Sequence, residues 1–223
     1  MIRFLLLAYC SLLTLVASAQ FNLQVGYNVA YFPADQTNQI LERFDAAQSE
    51  WENPIGTFKY GTGILAGVEY RIGALGVEAK WRNQSRTLSG SGVVMDETIF
   101  RDLLIRNHSI GVGIQGYISE IVSIGGGMDY QNFIIKSEST DIPDRTKILG
   151  ENTLAGRVFL DFTVLRAAVS AIRIRPYVQF PISNIDIQSL DDTLNPNLPA
   201  EGINNENPMH WGISIYFSNG EQY

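Results

Sequence analysis

"HWGISIYFSNG", residues 210–220, alternates without a break. Trp211, Ile213, Ile215 and Phe217 fall on one side of an extended chain. His210, Gly212, Ser214 and Tyr216 fall on the other. A period of two is the signature of a strand with one apolar face and one polar or small face. A soluble barrel turns the apolar face inward, whereas a membrane barrel shows it to lipid.

The same alternation recurs seven times towards the N-terminus, over residues 21–31, 60–72, 75–82, 109–118, 122–131, 153–164 and 172–182. Eight segments of about 9–13 residues match the length a tilted strand needs to cross a bilayer. The spacing predicts short turns after the second, fourth and sixth strands, around Gly73-Ala74, Glu120-Ile121 and Arg166 to Ala171. The other connections read as long loops of about 15–30 residues, an asymmetry expected of outer-membrane barrels. Both ends of the mature chain then lie on the short-turn, periplasmic rim. Pro176 and Pro181 interrupt the seventh strand, where a proline marks an edge or a bulge.

The N-terminus bounds the cellular context. Arg3, an apolar run from Phe4 to Val16 and the small residues Ala17-Ser18-Ala19 read as a secretory signal peptide over 1–19, cleaved before Gln20. Cys10, the lone cysteine, falls inside it, so the mature chain offers neither disulfide nor thiolate metal site. The barrel is expected over 20–217, with 218–223 as a short periplasmic tail. A net charge of −7 argues against nucleic-acid binding. Only Lys59, Lys80, Lys136 and Lys147 are lysines, too few for a surface wetted on every side.

Two features choose the inner face. The polar faces carry glycines together with Glu69, Glu78, Asp129 and Asp161 against Arg71, Lys80, Arg82, Arg157, Arg173 and Arg175. Small residues make room for long cations in a narrow lumen, and charges there must be paired. The apolar faces carry Tyr27, Tyr31, Tyr60, Tyr70, Trp81, Tyr130, Phe180, Trp211 and Phe217 near their ends, as rings at two membrane interfaces do. The expectation is an all-β, eight-stranded antiparallel up-and-down transmembrane β-barrel with a side-chain-plugged lumen. A secreted lipocalin-like barrel binding a small ligand is the alternative on the same alternation.

With these features the chain resembles the small OmpA/OmpX-like outer-membrane barrels of Gram-negative bacteria, particularly the Bacteroidetes-type proteins. The resemblance spans Gln20 to Phe217. It implies outer-membrane residence, extracellular loops, contact with outer-membrane lipid and lipopolysaccharide, and handling by the barrel-assembly machinery during insertion. Phe217 or Tyr223 would be the terminal aromatic that this machinery reads. It implies no cofactor.

The loops carry the remaining readings. Ile40, Leu41 and Phe44, with Ala47 and Trp51 beyond, form a helical stripe after Asp35, a candidate cap. The stripe fits a short helix in the first extracellular loop, either covering the barrel mouth or offering Ile40, Leu41, Phe44 and Trp51 to a partner. The acidic fourth loop, with Asp186, Asp191, Asp192 and Glu201, lacks EF-hand spacing. His210 and Ser214 share a face about 13 Å apart, far beyond the reach of a nucleophile–base pair. No catalytic residue, cofactor site or metal site is expected. A structural, adhesin-like or accessory role in an envelope complex is favoured over an outer-membrane lipid-modifying enzyme.

Overall fold

The computed structural model describes residues 19–48, 50–199 and 202–220; the leader and Tyr223 lie outside the described residues. The elements in chain order are β1 (Ala19–Tyr31), α1 (Asp35–Ala47), β2 (Tyr60–Ile72), β3 (Leu75–Val94), β4 (Glu97–Tyr117), β5 (Val122–Ser139), β6 (Thr146–Ala167) and β7 (Ser170–Pro181). A two-residue strand β8 (Ile185–Asp186), α2 (Gln188–Leu194), β9 (Asn205–Glu206) and β10 (His210–Asn219) follow. Strands β1 to β7 and β10 close an antiparallel barrel in the order β1-β10-β7-β6-β5-β4-β3-β2. The opening stretch is the closing strand, with Phe217 opposite Val25 and Trp211 opposite Tyr31.

The alternation fixes which side faces out. Val25, Ile64, Val77, Val112 and Ile213 are exposed on the barrel's exterior, while Asn28, Glu69, Glu78, Arg157 and Arg175 are buried within it. This overturns the lipocalin-like alternative, since the apolar face lines no cavity. Tight backbone approach inside the barrel requires glycine at Gly111, where a Cβ would overlap the Asp129 carboxylate. Gly73 supplies the positive φ of +57° in the β2–β3 turn.

The long loops expected after the third and fifth strands are largely strand. β3 and β4 run 20 and 21 residues and meet through Met95 and Asp96, both at positive φ, in a two-residue hairpin turn. β5 and β6 extend similarly, to 18 and 22 residues. The reason is an inversion of the pattern. On β4 the outward Ile110, Val112 and Ile114 give way to the inward Leu103 and Ile105; on β5 the outward Met128 and Tyr130 give way to the inward Phe133 and Ile135. Above the crossover the sheet is mostly polar outside and apolar inside.

The inverted region encloses its own core. Phe32, Ile40, Leu41 and Phe44 from the β1–β2 connection meet Leu103, Ile105, Phe133 and Ile135 of the strands and Ile187, Leu190 and Leu194 around α2. Burying such side chains contributes about 1.5–3 kcal/mol each. The cap is also sewn by polar contacts. Arg43 donates to both Asp191 carboxylate oxygens at 3.0 and 3.1 Å and to the Pro199 carbonyl at 2.6 Å. Asp45 accepts the Ile55 and Gly56 amides at 2.8 and 2.9 Å.

β7 holds its place in the barrel despite its prolines. Its ladder to β6 lapses between Ile174 and Tyr177, around Pro176, which has no N–H to give, while Pro181 ends the strand. The bulge lies in β6, at Thr163 to Leu165.

A sealed lumen beneath a folded cap: the candidate functional site

Along the lumen, charge is layered. At the short-turn end Arg173 pairs with Glu69 at 3.1 Å, Gln24 donates to the same carboxylate at 2.7 Å, and the Tyr117 hydroxyl bonds to it. In the middle Arg175 spans Glu78 at 2.7 Å and Asp161 at 2.6 Å, and donates to Gln115 and the Tyr216 hydroxyl, both at 3.0 Å. Lys80 and Arg157 both reach Glu78 at 3.1 Å. Towards the cap Arg82 pairs with Asp129 at 2.7 Å, braced by Gln179 at 3.0 Å.

Nine of the ten charges expected in the lumen are thus brought together. Arg71 is the exception. It stands at the rim, donating to the Gly73 carbonyl at 2.9 Å with its guanidinium 3.8 Å from the Tyr117 ring centroid. Strand parity places it on the inner face, but one residue from the strand end there is no longer a wall to bury it. The amides Gln24, Gln115 and Gln179 and the phenols Tyr117, Tyr177 and Tyr216 complete the network. Their signal in the sequence was a hydrogen-bonding group on the polar parity of each strand.

Above the charges, Gln84 donates to the Tyr177 hydroxyl at 2.7 Å, and His210 stacks on Phe32 with ring centroids 4.6 Å apart. Apolar packing then takes over and the cap closes the cylinder. No serine or carboxylate hydrogen-bonds to either histidine among the described residues. His210 is buried with Nδ1 at 3.1 Å from the Pro208 carbonyl, and His108 faces outward, stacked near Trp81.

Loop one corrects two expectations. Ile40, Leu41 and Phe44 point into the cap core and are buried, so they are not available to a partner; Trp51 alone remains half-exposed. A stripe read from periodicity does not say which side water lies on. Asp35 does not cap α1 either. The Thr37 amide donates 2.7 Å to Glu206, from β9. Burial raises the Glu206 carboxyl above its ordinary range, against the pull of the Thr37 and Asn207 amides.

Two acids of loop four have structural partners: Asp191 holds Arg43, and Asp186 accepts the Gln188 amide at 2.9 Å. Glu201 lies outside the described residues. Between α1, the β4–β5 tips and the segment after α2 a groove of about 440 Å³ remains open, lined by Phe44, Trp51, Phe100, Arg101, Asn195 and Leu198.

The interface aromatics all sit on the outer face. Tyr31 contacts Tyr60 and Trp211 at centroid distances of 5.4 and 5.3 Å, a ring cluster at the cap end. Tyr130 and Phe180 lie at the same end, and Tyr70 and Phe217 at the other, where Phe21 joins Tyr70 in register; Trp81, opposite Ala66 midway along β2, lies within the belt and not at its edge. Tyr27 departs from the expectation: opposite Ile64 and Ile215, it lies in the middle of the apolar belt.

No protein-family model matches the chain, and no curated protein matches its sequence. Among solved structures, Ail, the attachment invasion locus protein of Yersinia pestis, in complex with the heparin analogue sucrose octasulfate, is similar with a TM-score of 0.52 at 14% identity, over 91% of this chain and 98% of that one. A second structure of Ail gives 0.51 at 13% identity over the same shares. Neisserial surface protein A gives 0.47 at 9% identity, over 91% and 97%. Closed by eight antiparallel strands, belted by outward apolar side chains and plugged by ion pairs, the chain has the fold of the small eight-stranded outer-membrane β-barrels.

Proposed function

We propose that the protein is a non-enzymatic outer-membrane barrel that presents its cap as a docking surface, adhesin-like or as an accessory subunit of an envelope assembly. The cap faces the extracellular side and both chain ends face the periplasm. One observation carries the reading: the segments above the barrel form a packed, cross-linked body with its own apolar core, over a lumen filled by ion pairs. A passage for solute would need the reverse. A rigid cap limits the entropy lost on association, which favours recognition.

The recognition surface is the groove beside Trp51, with the exposed Phe100 and Leu198 on its walls and Arg101 in place to orient a polar group. Ail, which shares the fold, is an attachment protein by name, in keeping with a surface-binding role for this architecture. Gentle detergent extraction followed by size-exclusion chromatography and mass spectrometry tests the proposal. A companion protein should co-elute, and Phe100→Ser with Leu198→Ser should release it from a still-folded barrel. A monomer without companion, or a companion retained by the double variant, overturns it.

A further inference from the structure

Strand register fixes how far the strands lean. Followed from partner to partner once around the wall, from Tyr70 on β2 through Val77, Ile114, Val158 and Trp211, the register returns to β2 at Tyr60. The path closes ten residues nearer the cap than it began. A stagger of that size over eight strands tilts each by about 40° from the barrel axis. A row of partners therefore rises towards the cap by about 3 Å with each step from β1 to β2 to β3.

The lean brings two residues level. Tyr27 on β1 stands opposite Ile64 of β2, and Trp81 on β3 stands opposite Ala66. Ala66 is two residues nearer the short turns than Ile64, a drop of about 5 Å along the axis. Trp81 regains about 6 Å by lying two strands beyond Tyr27. The two positions thus share one height to about 1 Å, about 12 Å apart around the wall and about 10 Å below Tyr31.

Both bring a hydrogen-bonding group into the apolar belt. The Trp81 indole stacks near His108, and its N–H finds no acceptor among the described residues. Tyr27 is exposed, and its hydroxyl has no partner there either. Hydrocarbon supplies none. Beside Trp81 the wall dips into an open groove of about 430 Å³, lined by Leu23, Val25, Ala66, Ala79 and Ile110.

We propose that a second copy of this chain covers this face, in a dimer whose two-fold axis runs along the membrane normal past Ala66. Such an axis keeps every residue at its own height, so it can pair two different groups only where they are level. Set midway between Tyr27 and Trp81, it carries each onto the counterpart of the other. Trp81 of each copy then donates to the Tyr27 hydroxyl of the other, since an indole only donates and a phenol can accept. Ala66 lets the two walls approach closely, and Val25 of the second copy enters the groove. This rests on the membrane reading proposed above and not on the docking role of the cap.

The test uses the full mature chain in lipid vesicles, read by energy transfer between donor- and acceptor-labelled copies as the protein-to-lipid ratio falls. Met95→Cys, at the exposed tip of the β3–β4 hairpin, carries the dyes. Trp81→Phe and Tyr27→Phe each remove both hydrogen bonds at nearly constant size and should weaken the dimer about tenfold. The double variant should lose no more than either alone. Ala66→Trp fills the groove and should abolish transfer, whereas Val158→Trp, on the opposite wall, should leave it unchanged. Heat-shifted migration on unboiled gels confirms that each variant is folded. No transfer in the wild type, transfer that survives Ala66→Trp, or additive losses in the two phenylalanine variants overturns the dimer. A monomer whose groove holds an acyl chain overturns it too. A barrel that inserts and keeps its docking companion while failing these tests defeats this inference alone. One that stays in solution without detergent defeats the membrane reading as well.

Discussion

Ile105 and Ile110 stand five residues apart on β4 and leave the sheet on opposite faces: Ile105 is 1% exposed, inside the cap core, and Ile110 is 61% exposed, on the outer belt. Both residues are apolar, and strand parity alone decides which way each points. In the proposed orientation the switch in parity marks where the surroundings of the outer face change from hydrocarbon to water. Below it the barrel is greasy outside and ionic inside, and above it the reverse.

Truncation should therefore act differently on either side of that line. Leu103→Ala removes a fully buried side chain from the cap and should cost about 2–5 kcal/mol there. Protease nicking of the connection between β1 and β2 should accelerate, while the barrel keeps its heat-modifiable migration. Ile110→Ala, whose side chain faces lipid, should leave nicking unchanged. Equal effects of the two would argue against separate cores.

Arg175 joins Glu78 to Asp161 in the middle of the lumen. Arg175→Met leaves two buried carboxylates short of their partner, a loss of about 3–5 kcal/mol. Adding Glu78→Gln should recover part of it, because one uncompensated charge is removed. Urea unfolding in lipid vesicles measures both. Strictly additive losses would show that the two side chains do not act as a pair.

Glu206 makes the cap sensitive to pH. Burial raises its carboxyl above the ordinary 4.5, and nearby Asp35 adds to the shift, while the Thr37 and Asn207 amides oppose it. A raised carboxyl favours the proton in the folded state. Its contribution is therefore complete below the ordinary range and is lost as pH rises through the raised value. In a background of Trp81→Phe and Trp211→Phe, Trp51 fluorescence should report a cap that unfolds at lower denaturant at pH 7.5 than at pH 5. Glu206→Gln should flatten that slope; an undiminished slope assigns the effect to another group.

A cylinder filled by ion pairs and closed by an apolar cap should conduct little. In planar bilayers the wild type is expected to show no large, stable openings. Persistent open levels of constant size would contradict the sealed lumen.

The membrane half of the barrel was legible in the sequence because each strand there keeps one parity over its whole length. Trp211 to Phe217 and Val25 to Tyr31 could each be read alone. The upper half was not, because Asn83 to Ser91 is polar on both parities in places and the apolar parity of β4 flips between Ile105 and Ile110. A search for alternation of fixed sense stops at such a flip and assigns a loop. The lumen network was legible by residue but not by partner: strand parity sends Arg175 inward, and only the closure of the barrel brings Glu78, 97 positions away, to its guanidinium. Burial of Ile40, Leu41 and Phe44 was out of reach for the same reason, since the surface that covers them comes from strands and a helix about 60 to 150 residues later in the chain.

Site-directed spin labels at positions 104, 106, 108, 110 and 112 of β4, all on the outer face, probe the parity switch directly. In lipid bilayers, labels at 110 and 112 should be accessible to oxygen and shielded from a polar nickel chelate, and labels at 104 and 106 should show the opposite. If labels at 104 and 106 are as oxygen-accessible and chelate-shielded as the label at 112, the inverted region lies in hydrocarbon and the cap does not stand in water.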